Sequence, residues 1–193
     1  MDKSIAFSKS ALSSATSLLA AQWIVALASI PSAQDYANQI ADGKSPEDIT
    51  TLYDNLTILI FIFSIWSYIA TNRLLKFAYD RETKVNPTAV RLKSVWIYLG
   101  WITPVVSFWF PKRIVDDLVE AKSKRTGEAN PIGKNSMTWW TTWVSHDLIN
   151  ALGFAGVALG TTTRIEPTYQ LAAAAMLTAS YLVWTKILKA LAE

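Results

Sequence analysis

The apolar residues of this chain come in blocks, each about twenty residues long, which is the length a helix needs to cross a ~30 Å hydrocarbon core. The blocks are Ala11 to Ile30, a stretch over 53–72 centred on Leu56 to Ala70, Met137 to Gly160, and Tyr169 to Leu188. A soluble helical bundle would place a polar residue at every third or fourth position. Leu56 to Ile65 holds none except Thr57 and Ser64. The fold class expected is therefore all-α: a polytopic transmembrane helical bundle forming a single domain over 1–193. At 51% hydrophobic and 17% charged, the chain is too apolar for disorder.

The first block raises one alternative. Lys3 and Lys9 precede it, and Ala26-Leu27-Ala28 resembles a signal-peptide cleavage site. The block is longer than a usual signal core, so a retained span is the expectation. Pro31 is expected to end it. Ser45-Pro46-Glu47-Asp48 then reads as a helix start, with a Ser cap, Pro at the first helical position and early acids. The polar stretch 123–136, with Gly127, Pro131 and Gly133, reads as a solvated loop.

A fifth apolar block, 94–110, decides the topology. If it crosses the membrane, the cations divide evenly between the two sides. If it enters and returns, sixteen of the eighteen Lys and Arg residues fall on one side, leaving only Lys44 and Arg164 on the other. Positive loops mark the cytoplasmic face. The expectation is four spans plus one re-entrant or interfacial aromatic segment, with both termini cytoplasmic in a bacterial inner membrane. As a straight helix, 94–110 would reach only ~25 Å, and Pro104 interrupts it. The competing reading is a short, Pro-kinked helix that crosses fully. From Pro111, a helix over 111–122 places Ile114, Val115, Leu118 and Val119 on one face and Arg113, Asp116, Asp117 and Glu120 on the other. That pattern suits a helix at the cytoplasmic surface, seated on lipid or on the protein's own loops.

The run from Trp96 to Pro111, with Gly100-Trp101, Pro104 and Trp109-Phe110-Pro111, resembles the signature of the bacterial domain-of-unknown-function 4328 family. Trp139-Trp140-Thr141-Thr142-Trp143 is similar to the family's Trp-Trp-x-x-Trp element, and Trp66 with Asn72 and Arg73 resembles its basic end to the second span. Ser107 stands where the family often has Asn. The resemblance covers roughly residues 56 to 150. It implies a multi-span bacterial membrane protein and no particular activity.

The candidate chemistry lies in the third span, at Ser145, His146, Asp147 and Asn150. Asp147 would lie ~12 Å deep by helical rise. A carboxylate there costs ~2.5–3.5 kcal/mol on insertion scales, so it should face protein or water. Arg73 and Arg113 are its candidate charge partners. His146 and Asn150, four apart, share a face. A proton or ligand site is one reading, and interhelical hydrogen bonding that only fixes the bundle is the other. Gly156 and Gly160 form a small-xxx-small element suited to close packing of the last two spans.

Composition narrows the rest. The chain has no cysteine and one histidine, which removes disulfides, thiol chemistry and multi-histidine metal sites. No cofactor or metal is expected. A net charge of +3 is too weak to argue for nucleic acid. No nucleophile elbow, zinc-protease helix or phosphate loop occurs. The leading expectation is a non-enzymatic accessory, assembly or scaffold component. Its partners would be the lipid bilayer and a protein at the cytoplasmic face, and its oligomeric state stays open. The alternative is a small-solute, proton or lipid pathway through the polar residues of the third span. A lipid-modifying enzyme is a distant third.

Overall fold

A computed structural model describes residues 3–49, 52–128, 133–159 and 167–193. Among these the protein is all-helical and has no strand. The six α-helices are α1 (Lys3–Ala41), α2 (Leu52–Val85), α3 (Trp96–Ile102), α4 (Phe110–Thr126), α5 (Gly133–Ala158) and α6 (Pro167–Ala192). Three stretches are long and apolar enough to cross a membrane: Ala6–Ala41, Asn55–Val85 and Tyr169–Ala192. The fourth expected span falls in α5. That helix has 26 residues, a rise of ~39 Å, but His146, Asp147 and Asn150 hold down its mean hydropathy.

Several helix boundaries differ from the sequence expectation. Pro31 does not end the first helix, which continues to Ala41. A proline inside a helix removes one backbone hydrogen bond and crowds the preceding turn. Here the helix tolerates it, with α2 and α6 packed alongside. The expected helix start at Pro46 is instead a 3-10 turn over Pro46–Asp48, closed by the Asp48 N–H on the Ser45 carbonyl at 3.0 Å. The second helix resumes at Leu52. The expected loop over 123–136 is also shorter. α4 runs to Thr126 and stops at Gly127, whose φ of 71° is left-handed and whose N–H caps the Ser123 carbonyl. Residues 129–132 of that loop lie outside the described residues. So do Gly160 and the 161–166 part of the link between the last two helices.

The aromatic block 94–110 is not one helix. α3 has seven residues, a rise of ~10 Å or about a third of the hydrocarbon thickness. Pro104 and Val105 then reverse the chain in a tight turn, with the Val106 N–H on the Pro104 carbonyl at 2.7 Å. Val105 carries φ 66° and ψ −52°, a strained conformation for a β-branched residue. A 3-10 turn over Val106–Phe108 leads into α4.

The motif residues earn their identities in this turn. A Cβ on Gly100 would meet Phe110 Cβ at 3.2 Å, so glycine lets α3 lie close on the start of α4. Trp96 meets Phe110 edge to face at 4.7 Å. Pro111 is buried in the first turn of α4, where its missing N–H removes no helical bond. Trp109 stays on the outside, half exposed.

The dense core sits at one end of the bundle. It joins Leu74 and Leu75 of α2, Ile114 and Leu118 of α4, and Ile187, Leu188 and Leu191 of α6, all fully buried. The apolar face of α4 is thus covered by the protein itself. The last carbonyls of α6, which lack helical partners, are taken up at this same end. Ser8 Oγ donates to the Ala192 carbonyl, an Arg81 guanidinium nitrogen to Leu191 at 3.1 Å, and Lys122 Nζ to Ala190 at 2.5 Å. The start of α1, the end of α2, the length of α4 and the C-terminus therefore meet at one end.

Two buried carboxylates lock it. Glu82 accepts from Arg81 Nε and from Arg125 Nε, both at 2.9 Å. Asp117 accepts from the Arg91 guanidinium and, at 3.0 Å, from the Arg91 backbone N–H.

A polar chamber between the helices

Away from that core the helices separate around a cavity of about 640 Å³, within the ~300–1,000 Å³ usual for small-molecule sites. α1 packs on α2, α5 on α6 and α1 on α6, so three sides of the ring are closed. No comparable interface joins α2 to α5 among the described residues. α3 brings Trp101 to the chamber, beside Trp139 and Trp143 of α5 and Trp184 of α6. The Trp139 and Trp184 rings stack at 4.2 Å, and Trp101 meets Trp184 edge-on at 6.0 Å.

Polar contacts across the lining hold the walls in register. Gln22 of α1 donates to Ser64 Oγ of α2 at 2.9 Å, and Ser64 donates to the Ile60 carbonyl. Trp23 of α1 donates to Thr178 Oγ1 of α6 at 3.1 Å and stacks on Tyr181. Tyr68 Oη donates to the Tyr98 carbonyl at 2.7 Å, tying α2 to α3.

The polar residues expected from the third span part company here. His146 and Asn150 face the chamber, whereas Ser145 and Asp147 do not line it. His146 Nδ1 lies 2.9 Å from the Ala173 carbonyl of α6, and Nε2 lies 3.1 Å from Asn150 Nδ2. A carbonyl beside Nδ1 calls for the proton on that nitrogen, and Nε2 pairs with the Asn150 side-chain amide. Both ring nitrogens therefore have a hydrogen-bond partner within the bundle.

Asp147 is exposed on the outer face of α5, beside Leu148 and Leu152. No salt bridge among the described residues joins it to Arg73 or Arg113. Arg73 lies over the Phe7 ring at 5.8 Å, and Arg113 is exposed on α4. The expectation that Asp147 would turn inward to a cation is corrected accordingly. Adjacent helical residues point ~100° apart, and His146 takes the inward direction.

The groups that stand out were not singled out from the third span. Asn72 of α2 is fully buried, and neither its Oδ1 nor its Nδ2 has a hydrogen-bond partner. Ser67 Oγ and Trp101 Nε1 are also buried without partners, and all three residues line the chamber. An unsatisfied buried polar group costs about 1–3 kcal/mol, so these three residues are the costliest part of the lining to leave without hydrogen-bond partners. The sequence signal was available: an amide inside an apolar helix, just before Arg73.

The described residues lining the chamber carry hydroxyl, amide, indole, phenol and imidazole groups and no formal charge. That set binds by hydrogen bonding and aromatic contact. A family model described as a domain of unknown function (DUF4328) matches residues 47–192, the segment that contributes α2 to α6. No curated protein and no solved structure matches the chain.

Proposed function

This chain belongs to the DUF4328 family, and we propose that it is a non-enzymatic, four-span protein of a bacterial inner membrane whose chamber holds a small molecule taken from the bilayer. The observation that carries this reading is the set of buried, unpartnered polar groups facing a cavity with one unsealed side. Of the two sequence expectations, this geometry favours the pathway or binding role. The accessory role would rest on the outward charges of α4, since the apolar face of that helix is already buried against its own chain.

The four-span arrangement has two supports. A 94–110 segment that crossed would put α4 at the opposite end from the termini, yet Lys122 reaches the Ala190 carbonyl. The charge asymmetry supports a cytoplasmic position for that same end. Single cysteines in this cysteine-free chain test it directly. An impermeant thiol reagent on intact cells should label cysteine at Asp42 and at Arg164 and spare cysteine at Lys124. Labelling at Lys124 would overturn the four-span arrangement.

Occupancy is tested by photolabelling. Alkyl chains bearing a diazirine, with neutral, anionic and cationic heads, should leave adducts on chamber residues such as Trp143, Ile149 and Tyr181. With every probe, adducts confined to outer-face residues such as Phe61 and Leu148 would rule out a binding chamber.

A further inference from the structure

The chamber's inventory specifies the ligand more closely. Asn72 offers an amide donor and acceptor side by side, Trp101 offers an N–H, and Ser67 offers a hydroxyl that both donates and accepts. All of these atoms are buried without partners. Ser67 and Asn72 flank Ala70 on α2 and precede Leu74 and Leu75, so they sit at the end of the chamber next to the dense core.

No described lining residue supplies a cation for a carboxylate or phosphate, or a carboxylate for an ammonium. An ion moved there would lose its hydration without compensation, a cost of several kcal/mol. A hydroxyl, carboxamide or carbonyl would satisfy the waiting groups instead. Away from these atoms the walls are mainly apolar and aromatic, including Leu19, Leu27, Ile60, Ile149 and Leu177, and polar side chains there such as Gln22, Ser64, His146 and Asn150 already have hydrogen-bond partners. The missing α2–α5 interface leaves a side route, and both helices expose apolar side chains on their outer faces, Phe61 and Ile65 on α2 and Leu148 and Leu152 beside Asp147 on α5.

We propose that the ligand is an uncharged long-chain amphiphile that enters from the bilayer between α2 and α5 and sets its polar head on Asn72, Ser67 and Trp101. The proposal rests on the binding role given above and adds the head-group chemistry, the access route and the recognising residues.

The test is competition against the neutral photoprobe on the purified full-length protein in a non-ionic detergent, at mildly alkaline pH. Dodecanol and dodecanamide are compared with ionised dodecanoate and dodecyltrimethylammonium. The neutral chains should protect the chamber residues at concentrations at least about tenfold lower, since each lost or unpaired hydrogen bond weighs about as much as a factor of ten. Asn72→Leu, which keeps the volume and removes both polar atoms, should weaken protection by dodecanol about tenfold. Ser67→Ala and Trp101→Phe should each weaken it several-fold, and they carry the test if Asn72→Leu does not fold.

Equal protection by the charged chains would overturn the head-group assignment while leaving a binding chamber in place. So would unchanged protection of the folded variants. Failure of every chain to protect the chamber, as when Asn72 is satisfied by water alone, would overturn both this proposal and the binding role. Cysteines introduced on the facing sides of α2 and α5, joined by a bifunctional thiol reagent long enough to span the open gap, should slow labelling of the chamber. Unchanged labelling after cross-linking would refute the side route.

Discussion

Replacing Glu82 by alanine will lower the unfolding free energy by about 3–5 kcal/mol, the usual cost of removing one member of a buried ion pair. Glu82 is almost completely buried, and it is the acceptor for two guanidinium groups that are themselves three-quarters buried. Its loss leaves Arg81 and Arg125 with charge and no acceptor in a place water reaches poorly. Arg81 also holds the Leu191 carbonyl, so the end of α6 will loosen with it.

The comparison with Asp117 shows what decides the magnitude. Asp117 is equally buried, but its partner Arg91 is 60% exposed and can rehydrate. Asp117→Ala should therefore cost less, about 1–3 kcal/mol, set mainly by the orphaned backbone N–H of Arg91. Chemical denaturation in detergent measures both. Hydrogen exchange at residues 188–192 reports whether α6 frays in Glu82→Ala. A loss below about 1 kcal/mol for Glu82→Ala would mean that the pairs at this end only decorate the core.

Replacing Trp184 by alanine should cost about 3 kcal/mol, the lower end of the range for deleting a large buried aromatic. The lower end follows from the proposed membrane setting, in which the reference state is already apolar. What is lost is packing and the cavity left behind rather than transfer from water. Trp184 is 5% exposed and stacks on Trp139. It also meets Trp101, so its removal takes away one support of α3. The variant should lose near-ultraviolet dichroism from the coupled indoles together with its thermal stability. Trp184→Phe, which keeps an aromatic ring in the stack, should lose less of both. If the alanine variant unfolds with the native midpoint, the indole cluster is not what seats α3.

The helices were largely legible because hydrophobic blocks are a local property. The blocks ending at Ile30, Ala70 and Leu188 each fall inside a long helix. The Gly100-Trp101, Pro104 and Trp109-Phe110-Pro111 pattern led to the family that the 47–192 match establishes. Local punctuation was less reliable. Pro31 reads as a stop, yet its cost is only a few kcal/mol, less than neighbouring helices can offset. Ser45-Pro46 reads as an N-terminus but closes only a 3-10 turn.

The candidate site divides the same way. Spacing alone placed His146 and Asn150 on one face, and the two share a hydrogen bond. Spacing could not say which face of α5 looks inward, so Asp147 was expected beside them and lies outside.

Sequence by itself determined that the chain forms helices long and apolar enough to cross a membrane, and which family it belongs to, because both are written in runs of neighbouring side chains and need no knowledge of what lies across the bundle. Only the tertiary structure decided that Asn72, Ser67 and Trp101 share one chamber while Asp147 is excluded from it. The first two lie on a different helix from the third, at least twenty-nine positions away. Whether a polar atom finds a partner depends on neighbours that the chain's order does not specify.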